Sequence, residues 1–165
     1  KGDDRALAVD EHFYHQVIGE SYRHKVLFVI SQADKAEPTS CGKHLSTEQK
    51  QNISRKICQL HELFQPVNPV CAVSVRLQWG LRVMVERMIR CLPREASSPV
   101  AVQLSAPLRT DAVNKKARDD FGETVGSVLD AVSSMPLIPA PVRTVIQSVR
   151  DIVVSVARTV WNFFF

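Results

Sequence analysis

Two short, unbroken apolar runs most constrain what this chain can fold into. They are Lys25-Val-Leu-Phe-Val-Ile30 and Val70-Cys-Ala-Val-Ser-Val75. Both are rich in β-branched residues and show no polar alternation, the pattern of strands buried on both faces in a parallel sheet. A helical pattern lies between them, so the pair should be parallel with a right-handed crossover. Two strands alone leave faces and edges uncovered. The expected fold class is therefore α/β: a partial parallel-sheet domain with two recognisable strands, followed by a helical carboxyl-terminal region.

The remaining periodicity supplies helices. Leu7, Val9, Phe13, Val17 and Ile18 predict a helix over about 6–23, with Asp3 or Asp4 as its cap and Gly19 weakening its end. Ser31 to Leu45 reads as a loop. Ser46 or Thr47, with Glu or Gln following in the first turn, opens a helix whose stripe is Ile53, Ile57, Leu60 and Phe64. Leu81 to Leu92 is the next helix, ended by Pro93. Residues 1–93 are thus read as an α/β domain, 94–110 as a linker holding Ser97, Ser98, Pro99 and Pro107, and 111–165 as a helical region. In the last part, Gly122 and Gly126 either permit close helix contact or merely weaken the helix, the simpler reading. Val142, Val145, Val149, Ile152, Val153, Val156, Val160 and Phe163 share one face of the final helix. Arg143, Arg150 and Arg158 fall opposite.

Charge excludes little and favours less. The 165 residues carry a net charge of +4, split as 13 basic and 10 acidic residues up to Pro93 and 8 and 7 after it. No block is strongly basic, so bulk electrostatics makes a weak case for nucleic acid. Cys41, Cys58, Cys71 and Cys91 include no C-x-x-C pair; no secretory leader, and reduced thiols in a cytoplasmic protein, are expected. Cys41-x-x-His44 with Cys58-x-x-His61 has enough N and S ligands for tetrahedral zinc. The plainer reading makes Cys58 a small buried apolar residue on a helix, so no metal is expected. His12 and His15, beside Glu11, lack an identifiable third ligand and read as exposed helix histidines.

The chemistry lies where the strands end. Ser31-Gln32-Ala33-Asp34-Lys35 follows the first run directly, and Ser74-Val75 closes the second. In an open parallel sheet, ligands bind beyond the carboxyl ends of strands. A carboxylate there can accept from the N1–H and exocyclic amine of guanine, a donor pair that adenine lacks. The stretch resembles the carboxyl-terminal half of a small GTPase domain of the Era/TrmE class, whose motifs there are Asn-Lys-x-Asp and, one strand later, Ser-Ala. More narrowly, Asp3 to Glu11, Gln32 to Lys35 and Ala72-Val73-Ser74 with Trp79 and Leu81 resemble the prophage-encoded YeeP/YkfA/YfjP GTPase-like proteins.

The resemblance implies a nucleotide-base site of Ser31, Gln32, Asp34, Lys35, Ser74 and Val75, with Asp34 as the guanine-reading carboxylate. It also shows departures. Ser31 replaces Asn, Gln32 replaces Lys, and Val75 replaces the small Ala. Neither G-x-x-x-x-G-K-[ST] nor Asp-x-Pro-Gly occurs. The expectation is an amino-terminally truncated, degenerate GTPase-like domain, a possible pseudogene product, that is no enzyme by itself. Phosphoryl transfer depends on the missing phosphate and Mg²⁺ contacts, so no cofactor is expected here, and GTP and Mg²⁺ belong to the complete family protein. A base pocket alone should bind guanine nucleotides at millimolar strength or weaker, about −4 kcal/mol. RNA or the ribosome enters as a partner only by family analogy. The alternative is an interaction module whose helix 142–165 meets a protein partner or a membrane surface. Its arginines, seven or eight residues apart, keep it from spanning a bilayer.

Overall fold

The computed structural model describes residues 4–39 and 42–164. It is mixed α/β, with one two-stranded parallel sheet and a helical carboxyl-terminal region. The chain divides into two compact units, with the division between Cys91 and Leu92.

The first unit starts with α1 (Asp4–His12), which runs on as a π-type stretch over Phe13–Ile18 and stops at Gly19, where φ is +68°. The short α2 (Glu20–Arg23) follows. The single helix expected to Arg23 is therefore interrupted. The wider π turn rotates the inward face, so Tyr14 is buried while Val9, Phe13 and Val17 are exposed. Only Leu7 and Ile18 of the expected stripe join the core. Asp3, proposed as a cap, lies outside the described residues.

Both strands are shorter than the apolar runs: β1 is Val29–Ile30 and β2 is Cys71–Ala72, paired Val29↔Cys71 and Ile30↔Ala72. This register points the N–H and C=O of Val29 away from β2, and Val29 is partly exposed rather than buried on both faces. The far edge of β2 is covered. Arg87 donates to the carbonyls of Pro69 and Val70 at 3.2 and 3.0 Å. Gly80, at φ +74°, approaches so closely that a Cβ there would stand 2.2 Å from the Ala72 oxygen.

Between the strands lies α3 (Thr47–Phe64), which starts as expected. Ser46 Oγ accepts from the Gln49 N–H at 3.1 Å, and Gln49 Oε1 accepts from the Ser46 N–H at 2.9 Å, a reciprocal cap. Its stripe buries Ile53, Leu60 and Phe64. Tyr14, Phe28 and Phe64 form an edge-on and tilted aromatic cluster with centroids 4.7–6.1 Å apart. After β2, α4 (Leu81–Cys91) buries Val85 and Ile89.

The second unit overturns the linker. Residues 94–103 form α5 (Arg94–Gln103), followed by a 3₁₀ turn at Ala106–Leu108. Ser97, Ser98 and Ala101 are buried, and Ser98 Oγ donates to the Ala117 carbonyl at 2.7 Å. Small polar residues that look like linker composition instead permit close packing on α6 (Asp111–Ser133), which Thr110 caps through the Val113 N–H. Pro99 sits within α5.

The last helix, α7 (Ala140–Phe164), packs on α6 by the face that carries Arg150, Val154, Arg158 and Trp161, opposite the exposed valines. Gly122 and Gly126 open space on α6 that the Arg158 stem and the Arg150 guanidinium fill. A Cβ at Gly122 would lie 2.8 Å from Arg158 Cγ, and one at Gly126 would lie 2.9 Å from Arg150 Nη2. Arg158 then reaches Glu123 at 2.8 Å and Arg150 reaches Asp130 at 2.9 Å. The two glycines serve close contact rather than mere weakening. Val154 and Trp161 point inward, Trp161 with its ring 5.7 Å from Phe121. Among the described residues, no helix is long and apolar enough to cross a membrane.

Candidate functional site at the carboxyl ends of the strands

The loop after β1 is built by one strained residue. Gln32 adopts the left-handed conformation, φ +53°, which costs an L-residue about 1–2 kcal/mol. That turn brings the Ala33 N–H onto the Val73 carbonyl at 2.9 Å, extending the β1–β2 ladder by one bond. Ala33–Lys35 then forms a 3₁₀ turn. Gln49, buried at the start of α3, donates from Nε2 to the carbonyls of Asp34 and Ala36 at 3.2 and 3.0 Å. The helix cap and the loop are thus one hydrogen-bonded unit.

Asp34 and Ser74 come together across the two strand ends. Ser74, fully buried, donates its hydroxyl to Asp34 Oδ1 at 2.6 Å, and its own oxygen accepts from the Leu77 N–H at 3.2 Å. Arg76 donates from Nε to Asp34 Oδ2 at 2.8 Å. The residue Asp34 is only 8% exposed. The Ser74 hydroxyl, and then the Arg76 guanidinium, hold its carboxyl below the ordinary carboxylate value. Asp34 is therefore an ionised acceptor at neutral pH, with one donor already on each oxygen. A carboxylate oxygen offers two acceptor directions, so capacity for further N–H donors remains.

The other expected residues fall elsewhere. Ser31, Gln32 and Lys35 line a cavity of about 270 Å³ with Asn52, Ile53 and Lys56 of α3, and Asp34 does not line it. Val75 is 69% exposed and turned to solvent. An antiparallel bridge between Ser74 and Trp79 closes the loop after β2. Sequence reasoning missed Arg76 and the loop-bracing role of Gln49. Arg76 stands two residues beyond Ser74, within side-chain reach of any acid on the neighbouring strand end. Gln49 is legible as a capping residue, but its second set of bonds depends on the loop's fold.

Among the described residues, the histidine and cysteine groupings gather no ligand set. Cys58 is exposed on α3 rather than buried, and His44 and His61 are exposed too. Cys41 lies outside the described residues. Among those described, no group of three or more metal-ligating side chains occurs. His12 is exposed, whereas His15 is half-buried, with Nε2 at 3.4 Å from the Leu63 carbonyl.

No protein-family model matches the chain, and no solved structure does. Among curated proteins of Escherichia coli K12, YfjP and YkfA are each 78% identical to it over 165 residues, all of this chain. The chain spans 58% of the length of each of these two relatives. YeeP is 43% identical over 169 residues, covering all of this chain and 71% of YeeP. The likeness therefore runs through both compact units, and the chain belongs to the YfjP/YkfA/YeeP family.

Proposed function

We propose that the first unit is a guanine-recognising element, a degenerate GTPase-like domain in which Asp34 reads the N1–H and exocyclic amine of the base. One observation carries the reading: Asp34 is held as a carboxylate against Ser74 where two neighbouring parallel strands end together, the place where open α/β sheets bind ligands. Ser74 orients one carboxylate oxygen. Arg76, on a half-exposed side chain, occupies the other and must share it with or yield it to the base. Ser31, Gln32 and Lys35 border the neighbouring cavity. Residues 1–165 hold no glycine-rich phosphate cradle, so this stretch reads a base and does not itself transfer phosphoryl groups.

The affinity expected of base contacts alone is about 1 mM, roughly −4 kcal/mol. Amide chemical shifts of the ¹⁵N-labelled chain, followed during titration with GDP and with ADP to several millimolar, read that range. GDP should move Ala33, Asp34 and Ser74, while ADP should leave them in place. Asp34→Asn should abolish the difference between the bases. Equal responses to GDP and ADP, or GDP binding unchanged by Asp34→Asn, would sink the assignment. Micromolar affinity would overturn the expected weakness.

A further inference from the structure

The exposed face of α7 has a regularity that its packing on α6 does not use. Val142, Val145, Val149, Ile152, Val156 and Phe163 are all exposed, between 37% and 83%. Their spacing is three, four, three, four, then seven. Thr159 stands at the one remaining seam position. This is an a/d heptad seam with β-branched residues at most positions. A 3.5-residue repeat is the pattern by which one helix packs along another, so the face fits a helical partner.

Charge narrows the partner. One flank of the seam carries Ser148, Ser155 and Asn162, and the other carries Ile146, Val153 and Val160. Neither flank holds a charge. An interfacial membrane helix needs cations at the edge of its apolar face. Here Arg150 and Arg158 are turned to Asp130 and Glu123 on α6, and Arg143 donates to the Met135 and Ile138 carbonyls. A charge-free seam suits self-pairing, because a two-fold axis brings like residues near one another and no repulsion results. Among the described helices, α7 is the one with such a seam. The exposed stripe on the amino-terminal helical stretch has only Val9, Phe13 and Val17, every fourth residue, with Asp10 beside it.

We propose that α7 is a homotypic docking surface: two copies of this chain pair through α7, making a four-helix arrangement of two α6–α7 hairpins. The 25-residue helix is about 37 Å long. Seven seam positions on one helix make a small contact, at the lower end of the ~1,200–2,000 Å² in total that specific interfaces bury. The dimer should therefore be micromolar rather than nanomolar.

Sedimentation velocity of the full chain, from about 1 to 200 μM, tests this. A monomer–dimer equilibrium within that range is expected. Val149→Lys with Ile152→Lys should weaken it at least 30-fold with unchanged helical circular dichroism, since both sites are exposed. Gln147→Lys, off the seam, should leave it unaltered. Val156→Thr, close to isosteric, should weaken it several-fold if the double variant loses helicity. A monomer throughout overturns the proposal, as does a dimer indifferent to the seam variants. Flotation of a monomeric chain with phosphatidylcholine–phosphatidylglycerol vesicles, lost in the double variant, would assign the face to lipid instead.

Discussion

α3 and α7 carry the same kind of apolar stripe and use it in opposite ways. α3 buries Ile53, Leu60 and Phe64 beneath the sheet and the Tyr14–Phe28 cluster. α7 turns Val142, Val145, Val149 and Val156 outward, and packs the Arg158 stem on Gly122 and the Arg150 guanidinium with Val154 on Gly126 of α6. The difference lies in the neighbours. β1, β2 and the first helix offer α3 an apolar surface. α6 offers α7 a groove between small residues, rimmed by Glu123 and Asp130. Long basic side chains cover apolar surface with their stems and keep their heads at the edge, so an arginine face can be the inward one.

Point substitutions press on that contrast. The largest effect should come from Phe64→Ala, which removes a side chain 1% exposed and should cost about 3–5 kcal/mol. Val156→Ala on α7, at concentrations where the chain is monomeric, should stay within about 0.5 kcal/mol. Urea denaturation reads both, and comparable losses would erase the distinction between the helices. Next, Gly126→Leu should cost about 1–3 kcal/mol by overpacking, because its Cβ alone would meet Arg150 Nη2 at 2.9 Å and Val154 Cγ2 at 3.1 Å. A neutral result would show that α7 does not lie this close to α6. Glu123→Gln should cost under about 1 kcal/mol, since both partners are more than a third exposed and solvent screens the pair. A larger loss would mean that the charges, rather than the stems, hold α7.

The smallest effect concerns the loop that α3 braces. The Asp34 carboxyl is lowered in the folded chain, so its stabilising contribution is complete above the unfolded value of about 3.9. It is lost as pH falls through the lowered folded value. Denaturation midpoints of wild type and Asp34→Asn between pH 7 and pH 2 should show a shallower acid limb in the variant. Identical limbs would mean that the Ser74 and Arg76 contacts do not persist in solution.

Local chemistry made much of the first unit legible. The Ser46 cap, the α3 stripe and the parallel pairing of the two runs follow from residue types at short range. So does the meeting of Asp34 with Ser74, because parallel neighbouring strands place their carboxyl ends side by side. The Arg76 contact was not legible, because a long side chain chooses its partner in three dimensions. α5 was hidden by Ser97, Ser98 and Pro99, which read as linker until Ala117 supplies an acceptor and a close surface. For α7, periodicity grouped the exposed valines and set Arg143, Arg150 and Arg158 apart from them, but it did not mark Val154 and Trp161 as the inward residues. It could not say which face finds a neighbour, since that depends on Gly122 and Gly126, twenty-four or more residues away from their partners.

The sheet's two borders also have unequal futures. Beyond β2, Arg87 and Gly80 occupy the carbonyls that another strand would need. Beside Val29 the backbone groups face outward, and among the described residues no backbone partner reaches them. Extension of this sheet is thus directional: a strand can be added at β1, and growth terminates at β2. Such polarity makes the Val29 border, among the described residues, the template in the first unit for pairing with another chain segment.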